Sequence, residues 1–313
     1  MITVQRLSRR YGETVAVDDL SFTARPGAVT GFLGPNGAGK STTMRLMLGL
    51  ERGVGRTTFG GRTFLELTDP VRTVGILLDP GAVHPARSAY HHLRMVASGA
   101  GISERRVREV LSLVGLDDVR RRRVGGFSLG MRQRLGLATA LLGDPAYLIL
   151  DEPVNGLDPE GVHWTRTLLR SLADEGRTVF ASSHLLSEMA LTADDLVVIG
   201  KGRLIAAQPV QEFISTYTRA EVMVRTPDVE ALLARLGVER VTARREGLDT
   251  VIVDSLSADR VRELATDTGV WVRELHTRES SLEEAFLAAT AEAGQHNSGA
   301  YVTQRREPEM RTA

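Results

Sequence analysis

Short apolar runs separated by turn residues characterise the start of the chain. The runs Ile2 to Leu7, Val15 to Val17 and Leu20 to Thr23 are followed by the turn Arg25-Pro26-Gly27 and by a continuous apolar run, Val29 to Leu33. Runs of this length bounded by glycine and proline are typical of β-strands. We predict a small antiparallel sheet that leads into a parallel one.

The chain up to residue 215 continues as a mixture of helices and strands. Four stretches have the helical spacing of apolar residues: Met44 to Leu50, an insertion from Ala89 to Val119, Leu135 to Leu142, and a helix that ends near Leu172. Four apolar runs predict further strands: Thr57 to Phe59, Val74 to Leu78, Tyr147 to Leu150 and Thr178 to Ser182. This mixture predicts an α/β core with an antiparallel β subdomain and a helical subdomain.

The pattern changes from Thr216 onward. It predicts strand, helix, two strands, helix and strand at Glu221 to Thr226, Asp228 to Leu236, Val238 to Arg244, Thr250 to Asp254, Ala258 to Asp267 and Val270 to Leu275. This βαββαβ order suggests a small ferredoxin-like α+β domain, with a final helix at Leu282 to Leu287. We therefore predict a first domain at residues 1–215, an accessory domain at 216–293 and a polar, disordered tail at 294–313.

Composition narrows the classes of function. The chain has 313 residues, with 39 Lys and Arg against 39 Asp and Glu and only 5% aromatic residues, which argues against a nucleic-acid groove built on basic charge and stacking. It contains no cysteine, so it forms no disulfide and no thiolate metal site. No apolar run reaches about 18 residues and the N-terminus lacks a signal-peptide core, so we expect a soluble protein that does not span a bilayer.

The stretch Gly34 to Thr42 has the clearest chemical motif. It reads Gly-Pro-Asn-Gly-Ala-Gly-Lys-Ser-Thr, fits G-x-x-x-x-G-K-[ST], and lies between a predicted strand and a predicted helix. Its glycines let the backbone turn tightly, so that N–H groups and the helix N-terminus converge on the phosphates of a nucleotide. Lys40 can reach the β- and γ-phosphates, and the hydroxyl of Ser41 can ligate Mg²⁺.

Two adjacent carboxylates follow the apolar strand Tyr147 to Leu150, where the sequence continues Asp151-Glu152-Pro153. Acids at the end of a buried strand are costly unless a cation lies beside them. Asp151 can hold Mg²⁺ opposite Ser41, and Glu152 can polarise a water for attack on a γ-phosphate. The alternative role for such an acid is to cap the helix that follows.

Three further motifs are weak alone and indicate a function only together with the phosphate loop and the carboxylate pair. Ser128 is placed as the N-cap of an apolar helix with Gly130 beside it, so this helix N-terminus can also bind an anion. Asp158 is placed as the N-cap of the next helix. His184 follows the strand Thr178 to Ser182, at the strand end where ligands bind in open α/β sheets.

Other positions have a structural as well as a functional interpretation. Tyr11 can stack on a purine or simply pack against its neighbours. His91 and His92 are adjacent on a helix and point away from each other, so we do not expect them to form a metal site with His84. The run Arg120 to Arg123 is expected to form a solvated helix end, with contact to an acidic partner or to lipid headgroups as the alternative.

The order of these motifs resembles a known family. Five segments, in this order, look like the motifs of the ATP-binding subunits of ABC transporters. They are the phosphate loop, the segment Phe127 to Gln133, the stretch Leu148 to Pro153, the turn Asn155 to Asp158, and His184. The resemblance covers residues 1–215. The Ser-Leu-Gly-Met sequence, the single ATPase domain and the added C-terminal domain are similar to bacterial exporter ATPases of the daunorubicin and bacitracin resistance type.

The resemblance implies a role for each motif residue. The nucleotide-binding residues would be Tyr11, Gly34, Asn36, Gly37, Ala38, Gly39, Lys40, Ser41, Thr42, Ser128, Gly130 and Asp158, and the Mg²⁺ ligands would be Ser41, Asp79 and Asp151. Glu152 would be the general base, and His184 would sense the γ-phosphate. Ser128 and Gly130 would contact ATP held by a second copy, so that two nucleotides lie within a head-to-tail homodimer.

Two positions depart from the family pattern. Asp79 stands where the family usually has a glutamine that ligates Mg²⁺ and senses the membrane subunit. An ionised aspartate can ligate a metal but cannot donate a hydrogen bond. In the segment Phe127 to Gln133, which corresponds to the family's signature motif, Leu129 and Met131 replace the usual second glycine and terminal glutamine. Because backbone N–H groups bind the anion there, we expect the anion site to remain.

The favoured interpretation is an ATPase that binds ATP and Mg²⁺ as a homodimer at the inner face of the cell membrane. It would drive export of a hydrophobic, drug-like or antibiotic-like compound through a separate permease. One alternative is a soluble ABC-type ATPase that acts on ribosomes or DNA, although this chain lacks the second ATPase domain or coiled-coil insertion of such proteins. The other alternative is a nucleotide-binding regulator without turnover.

Overall fold

Two separate units make up the part of the chain that the structure describes, which is residues 1–218, 221–278 and 281–291 of a computed structural model. The first unit is Met1–Val210, and the second begins at Gln211. The domain boundary that the sequence suggested, residue 215, falls inside a helix that starts at Val210. The predicted disordered tail at 294–313 lies outside the described residues.

The first unit contains the predicted strands and helices and four elements that were not predicted, the helices Pro70–Thr73 and Leu186–Thr192 and the strands Asp195–Gly200 and Arg203–Pro209. In chain order they are β1 (Ile2–Tyr11), β2 (Thr14–Ala24), β3 (Ala28–Leu33), α1 (Lys40–Met47), β4 (Val54–Phe59), α2 (Pro70–Thr73), β5 (Val74–Leu77), α3 (Ala89–Gly99), α4 (Glu104–Leu113), α5 (Leu129–Leu141), β6 (Tyr147–Leu150), α6 (Pro159–Asp174), β7 (Thr178–Ser182), α7 (Leu186–Thr192), β8 (Asp195–Gly200) and β9 (Arg203–Pro209). The helix α8 (Val210–Tyr217) follows.

The strands β2, β1 and β4, in that order, form a three-stranded antiparallel sheet. In β1, Ile2, Val4 and Leu7 are all buried although their spacing is not uniformly two. The pairing register shifts between Val4 and Leu7, and Arg6 there has a left-handed φ of 49°. This bulge places Leu7 on the buried face and explains why the apolar alternation breaks.

The main sheet has six strands in the order β5-β6-β7-β3-β8-β9. Its neighbours pair in parallel except for the edge strand β9, which is antiparallel to β8. Helices connect the parallel strands, as such connections require. The predicted antiparallel sheet leading into a parallel one is confirmed.

Three aromatic rings fill the core between these two sheets. Phe180 of β7 lies 5.4 Å from Phe22 of β2 and 5.1 Å from Phe32 of β3, measured between ring centroids. Phe32 and Phe180 are fully buried. Aromatic pairs at such distances contribute about 0.5–1.5 kcal/mol each beyond their buried area. This packing fixes β3, which leads into the phosphate loop, against β7, which leads to His184.

The predicted helical insertion from Ala89 to Val119 is two helices, α3 and α4, because Gly101 adopts a φ of 60° and turns the chain. Both helices pack with α5 around a shared apolar cluster, which includes Leu93, Val110 and Leu135. Within the described residues, no helix is both long enough and apolar enough to cross a membrane.

The second unit has the predicted βαββαβ order. Its elements are β10 (Glu221–Arg225), α9 (Val229–Val238), β11 (Ala243–Arg245), β12 (Thr250–Asp254), α10 (Ala258–Asp267), β13 (Glu274–Arg278) and a final helix at residues 282–291. The four strands form one antiparallel sheet with the order β11-β12-β10-β13. Val224, Val253 and Leu264 belong to the apolar core that this sheet shares with its two helices.

Two strand predictions in this unit were wrong at their starts. Val238 belongs to α9, and the predicted strand Val238 to Arg244 is reduced to Ala243–Arg245, because the N–H of Val241 closes the helix end on the carbonyl of Leu236. The predicted strand Val270 to Leu275 begins only at Glu274 for the same reason. There the N–H of Val270 donates to Ala265 at the end of α10. A valine after a helix can complete its cap instead of starting a strand.

Candidate nucleotide-binding and catalytic site

Three neighbouring strands of the main sheet bring the predicted motifs to one edge. Phe32 of β3 pairs with Ser182 of β7, and Leu150 of β6 pairs with Ala181 of β7. The phosphate loop therefore follows β3, the carboxylate pair follows β6, and His184 follows β7 at the same end of the sheet. Ligands bind at this edge in open α/β sheets.

The phosphate loop, residues 34–42, depends on close backbone approach at Gly39. This residue has a φ of 103°, and a Cβ atom there would lie 2.3 Å from the carbonyl oxygen of Ala16. Gly39 is also the N-cap of α1 and provides no capping side chain. The first-turn N–H groups of α1, which begins at Lys40, are thus presented to an anion without competition from a side-chain cap.

Lys40 is buried within this loop, with 8% of its surface exposed. Its Nζ donates to the carbonyl oxygen of Gly34 at 2.6 Å and to that of Pro35 at 3.4 Å. The ammonium group therefore lies against the main chain of the loop itself. Asn36, Gly37 and Ala38 form the rest of this turn, and Ser41 and Thr42 lie in the first turn of α1.

Asp151 is the point where the phosphate loop, β6 and β7 meet. Its Oδ2 accepts a hydrogen bond from Ser41 Oγ at 2.7 Å, and its Oδ1 accepts one from Ser182 Oγ at 2.5 Å. Its N–H donates to the carbonyl of Leu77 on β5 at 2.6 Å. The carboxylate is thus held by two hydroxyl groups, one from the phosphate loop and one from the end of β7.

Glu152 points its carboxylate to His184. Its Oε2 lies 2.7 Å from His184 Nδ1 and also accepts from the His184 N–H at 3.2 Å. Glu152 itself has a left-handed φ of 49°, its N–H donates to Ser182 Oγ at 2.9 Å, and its carbonyl accepts from Gln133 Nε2 at 2.9 Å. The left-handed turn directs Asp151 and Glu152 to different partners, although they are adjacent.

The oxygen atoms of Ser41 and Asp151 fit a magnesium site. Mg²⁺ prefers hard oxygen ligands and keeps several waters beside one or two carboxylates and substrate phosphates, so it does not need a cage of protein acids. Accordingly, no cluster of three or more His, Asp or Glu side chains placed to hold a metal occurs among the described residues. Asp79, the third predicted ligand, is exposed and its Oδ1 accepts from the N–H of Gly81 at 2.7 Å.

The predicted anion site at the start of α5 lies beside the turn that contains Asp158. Ser128 caps α5 as predicted, its Oγ accepting from the Met131 N–H at 3.2 Å. Gly130 lies so near this turn that a Cβ there would be 3.3 Å from the carbonyl oxygen of Gly156. Asp158 caps α6 through the N–H of Gly161 at 2.9 Å. Within one chain these two loops therefore form one surface.

Tyr11 lies at the end of β1 with 42% of its surface exposed. One face of its ring is covered by the guanidinium of Arg9, whose Cζ lies 4.4 Å from the ring centroid. Arg9 is two residues earlier on the same strand, so both side chains project from the same face. The structure therefore pairs Tyr11 with Arg9.

Sequence reasoning missed two residues that hold the site together, Ser182 and Gln133. Ser182 bridges Asp151 and Glu152, and it could have been found because it ends the strand that leads to His184. Gln133 ends the segment Phe127 to Gln133, and the resemblance assigns it no role. Its burial, with 1% exposed, cannot be predicted from the local pattern because glutamine is usually exposed.

The fold and this edge of the sheet define a P-loop nucleoside triphosphatase, in which a phosphate-binding loop faces a carboxylate at the end of a neighbouring strand. Residues 17–155 match the family described as ABC transporter, and residues 220–283 match one described as a domain of unknown function, DUF8746. The chain is 38% identical over 294 residues to an uncharacterized ABC transporter ATP-binding protein, YhcH, of Bacillus subtilis, covering 90% of this chain and 92% of the relative.

The chain belongs to the ATP-binding proteins of ABC transporters and is an ATPase of that family. It is 33% identical over 294 residues to the bacitracin transport ATP-binding protein BcrA of Bacillus licheniformis, covering 92% of this chain and 96% of the relative. The lantibiotic transport ATP-binding protein SrtF of Streptococcus pyogenes is 38% identical over 206 residues, covering 66% of this chain and 89% of the relative. These relatives favour a transporter subunit over an ATPase that acts on ribosomes or DNA.

Solved structures have the same fold. The ATP-binding subunit of an ABC transporter superposes with a TM-score of 0.63 at 26% identity, covering 69% of this chain and 93% of the other. A dimeric ATP-binding cassette bound to ADP and Pi superposes with a TM-score of 0.61 at 19% identity, covering 67% of this chain and 98% of the other. At that identity the second likeness supports the fold alone.

Proposed function

We propose that this chain hydrolyses Mg-ATP at a head-to-tail homodimer interface and drives export of a hydrophobic, antibiotic-like compound through a separate membrane permease. The observation that carries the proposal is the contact between Ser41 of the phosphate loop and Asp151 of the neighbouring strand. The names of the bacitracin and lantibiotic transport relatives support the class of cargo. The subunit would act at the inner face of the membrane, bound to its permease.

The phosphate loop would hold the triphosphate. First-turn N–H groups of α1 would donate to the phosphate oxygens. The ammonium group of Lys40, which now donates to the carbonyl of Gly34, would donate to phosphate oxygens instead. Ser41 and Asp151 are the residues that would hold Mg²⁺, with Asp79 as a further carboxylate if it leaves the Gly81 N–H. Bound Mg²⁺ neutralises charge that develops on the phosphates. Tyr11 would stack on adenine with the face of its ring that Arg9 does not cover.

Glu152 would act as the general base. Its carboxylate accepts the proton of the attacking water, while the hydrogen bond from His184 fixes its orientation. His184, at the end of β7, also lies where it can contact the γ-phosphate. Ser182 keeps Asp151 and Glu152 in a fixed relation, so metal binding and proton transfer occur on one rigid strand end.

The second copy would complete each site. Ser128 and Gly130 present the N-terminus of α5 to the γ-phosphate bound by the partner, and Asp158 lies at the interface beside them. The side chain of Leu129 lies against Gly156 of the turn beside this site, with 52% of its surface exposed. Hydrolysis therefore requires a dimer in this proposal.

The catalytic part of the proposal is tested by comparing wild type with Glu152→Gln. We expect Glu152→Gln to bind ATP with unchanged affinity and to hydrolyse it about 10²–10⁴-fold more slowly. We also expect it to accumulate as an ATP-bound dimer in size-exclusion chromatography. A wild type that binds ATP and turns over no faster than Glu152→Gln, with or without a permease, would support the regulator alternative.

The transport part requires a different experiment. We expect affinity purification from solubilised membranes to recover the chain with a hydrophobic membrane protein, and ATPase activity of that complex to respond to hydrophobic antibiotics. Recovery with ribosomes in place of a membrane protein would contradict the export proposal and leave the ATPase assignment intact.

A further inference from the structure

The backbone of Glu152 is held in an unusual conformation by two side chains. A φ of 49° is uncommon for a residue with a Cβ and persists only where the surroundings impose it. The N–H of Glu152 is bound to Ser182 of β7, and its carbonyl is bound to Gln133 of α5. Each main-chain polar group of this residue therefore has a side-chain partner outside its own loop, and the carbonyl also accepts from the N–H of Asn155 at 3.1 Å.

Gln133 is well suited to this task because it is buried. A buried amide without a partner is costly, so its N–H group favours the one arrangement in which it reaches Glu152. The bond measures 2.9 Å, and only 1% of Gln133 is exposed. Any displacement of α5 relative to β6 must lengthen this bond or move the carbonyl of Glu152 with it.

The same helix carries the predicted site for the partner's nucleotide. Ser128 is the N-cap of α5, and Gln133 lies five residues further, which is about 7.5 Å along a helix axis. A short helical segment of this kind moves as a rigid body, since its main-chain hydrogen bonds resist bending over two turns. A force on the N-terminus of α5 therefore reaches Gln133.

We infer that Gln133 is a positioning residue that couples engagement of the α5 N-terminus with the partner's nucleotide to the orientation of the general base in its own chain. This inference rests on the proposed function and adds to it a route between the two nucleotide sites of the dimer. The route runs from Ser128 through α5 and Gln133 to the main chain of Glu152. It is distinct from the direct contact of His184 with the Glu152 carboxylate.

The test uses full-length protein with Gln133→Met, which keeps the size and shape of the side chain and removes the donor. Thr139→Val is the matched control, because Thr139 Oγ1 donates to Leu135 within the same helix and does not contact Glu152. Each substitution is made in wild type and in the Glu152→Gln background. Steady-state ATPase, ATP affinity and single-turnover hydrolysis are measured for all six proteins.

We expect Gln133→Met to lower kcat about tenfold with KM for ATP within about twofold of wild type, and Thr139→Val to match wild type. In the Glu152→Gln background, Gln133→Met should change the single-turnover rate by less than about twofold, because it acts through the group already removed. A loss of the same size in both backgrounds, or a loss of ATP affinity, would show a merely structural role and overturn the inference.

The outcomes also separate this inference from the proposed function. If Glu152→Gln is inactive while Gln133→Met is as fast as wild type, the coupling role of Gln133 is wrong and the ATPase mechanism stands. If Glu152→Gln hydrolyses ATP as fast as wild type, Glu152 is not the base, and both proposals are wrong.

Discussion

The hydroxyl of Ser41 lies 2.7 Å from Oδ2 of Asp151, although the two residues are 110 positions apart in the chain. One residue comes from the phosphate loop, and the other ends a strand two places away in the sheet. Their contact places the proposed phosphate-binding groups and the proposed metal-binding carboxylate in a single site.

Replacing Ser41 by Ala should weaken the response to magnesium more than the binding of nucleotide. The hydroxyl is a proposed Mg²⁺ ligand, whereas the N–H groups that hold phosphates belong to the backbone. We expect the Mg²⁺ concentration for half-maximal ATPase activity to rise at least about tenfold. Ser171→Ala, which removes a hydroxyl bonded to Leu168 within α6, is the control and should leave the magnesium titration unchanged.

Ser182→Ala should slow hydrolysis and also destabilise the first unit. The substitution leaves Asp151 without one donor and the Glu152 N–H without its acceptor at a position that is fully buried. Buried groups that lose a partner cost about 1–3 kcal/mol each. Denaturant unfolding should show this loss together with a kcat reduced about tenfold, and unchanged values of both would mean that Ser182 does not hold the carboxylate pair.

Much of this site follows from local sequence, while its connections do not. The phosphate loop, Asp151, Glu152 and His184 each lie directly after an apolar run, so the pattern fixes their places at strand ends. Ser182 also ends an apolar run, but its bonds to Asp151 and to the Glu152 N–H depend on the pairing of β7 with β6, and the bond from Gln133 depends on α5 lying beside β6. The local pattern predicts none of these contacts. The valines at 241 and 270 show the same limit, since whether they extend a strand or close a helix depends on tertiary packing.

Asp79→Asn separates the charge of this residue from its role in a turn. Asparagine keeps an oxygen that can accept the N–H of Gly81, so stability should be unchanged. If Asp79 contributes to the metal site, the magnesium requirement should increase several-fold without a change in the unfolding midpoint. A magnesium titration identical to that of wild type would show that Asp79 only stabilises the turn through the N–H of Gly81 and does not contribute to the metal site.

Protonation of His92 should destabilise the first unit below neutral pH. His92 is 7% exposed, its Nδ1 is buried without a hydrogen-bond partner, and burial, with a smaller effect from the charge of Arg87, lowers its pKa from the usual 6.5. Because the unfolded chain then binds the proton more readily than the folded one, stability falls as the pH decreases through 6.5 and below.

The comparison that checks this sign is His92→Phe against wild type. The variant should lose less unfolding free energy than wild type between neutral pH and about pH 5, since it has no group to protonate there. Parallel curves for wild type and His92→Phe would contradict the assignment.

The most direct test of the central claim is the affinity for ATP of Lys40→Ala, with Lys201→Asn as the control. These are the two lysines of the chain; Lys201 is exposed and has a φ of 50°, a conformation that asparagine tolerates. Equilibrium binding in magnesium buffer should show at least about a tenfold loss for Lys40→Ala and no loss for Lys201→Asn. Unchanged ATP affinity in Lys40→Ala would contradict the claim that this loop and the Asp151–Glu152 pair bind one triphosphate.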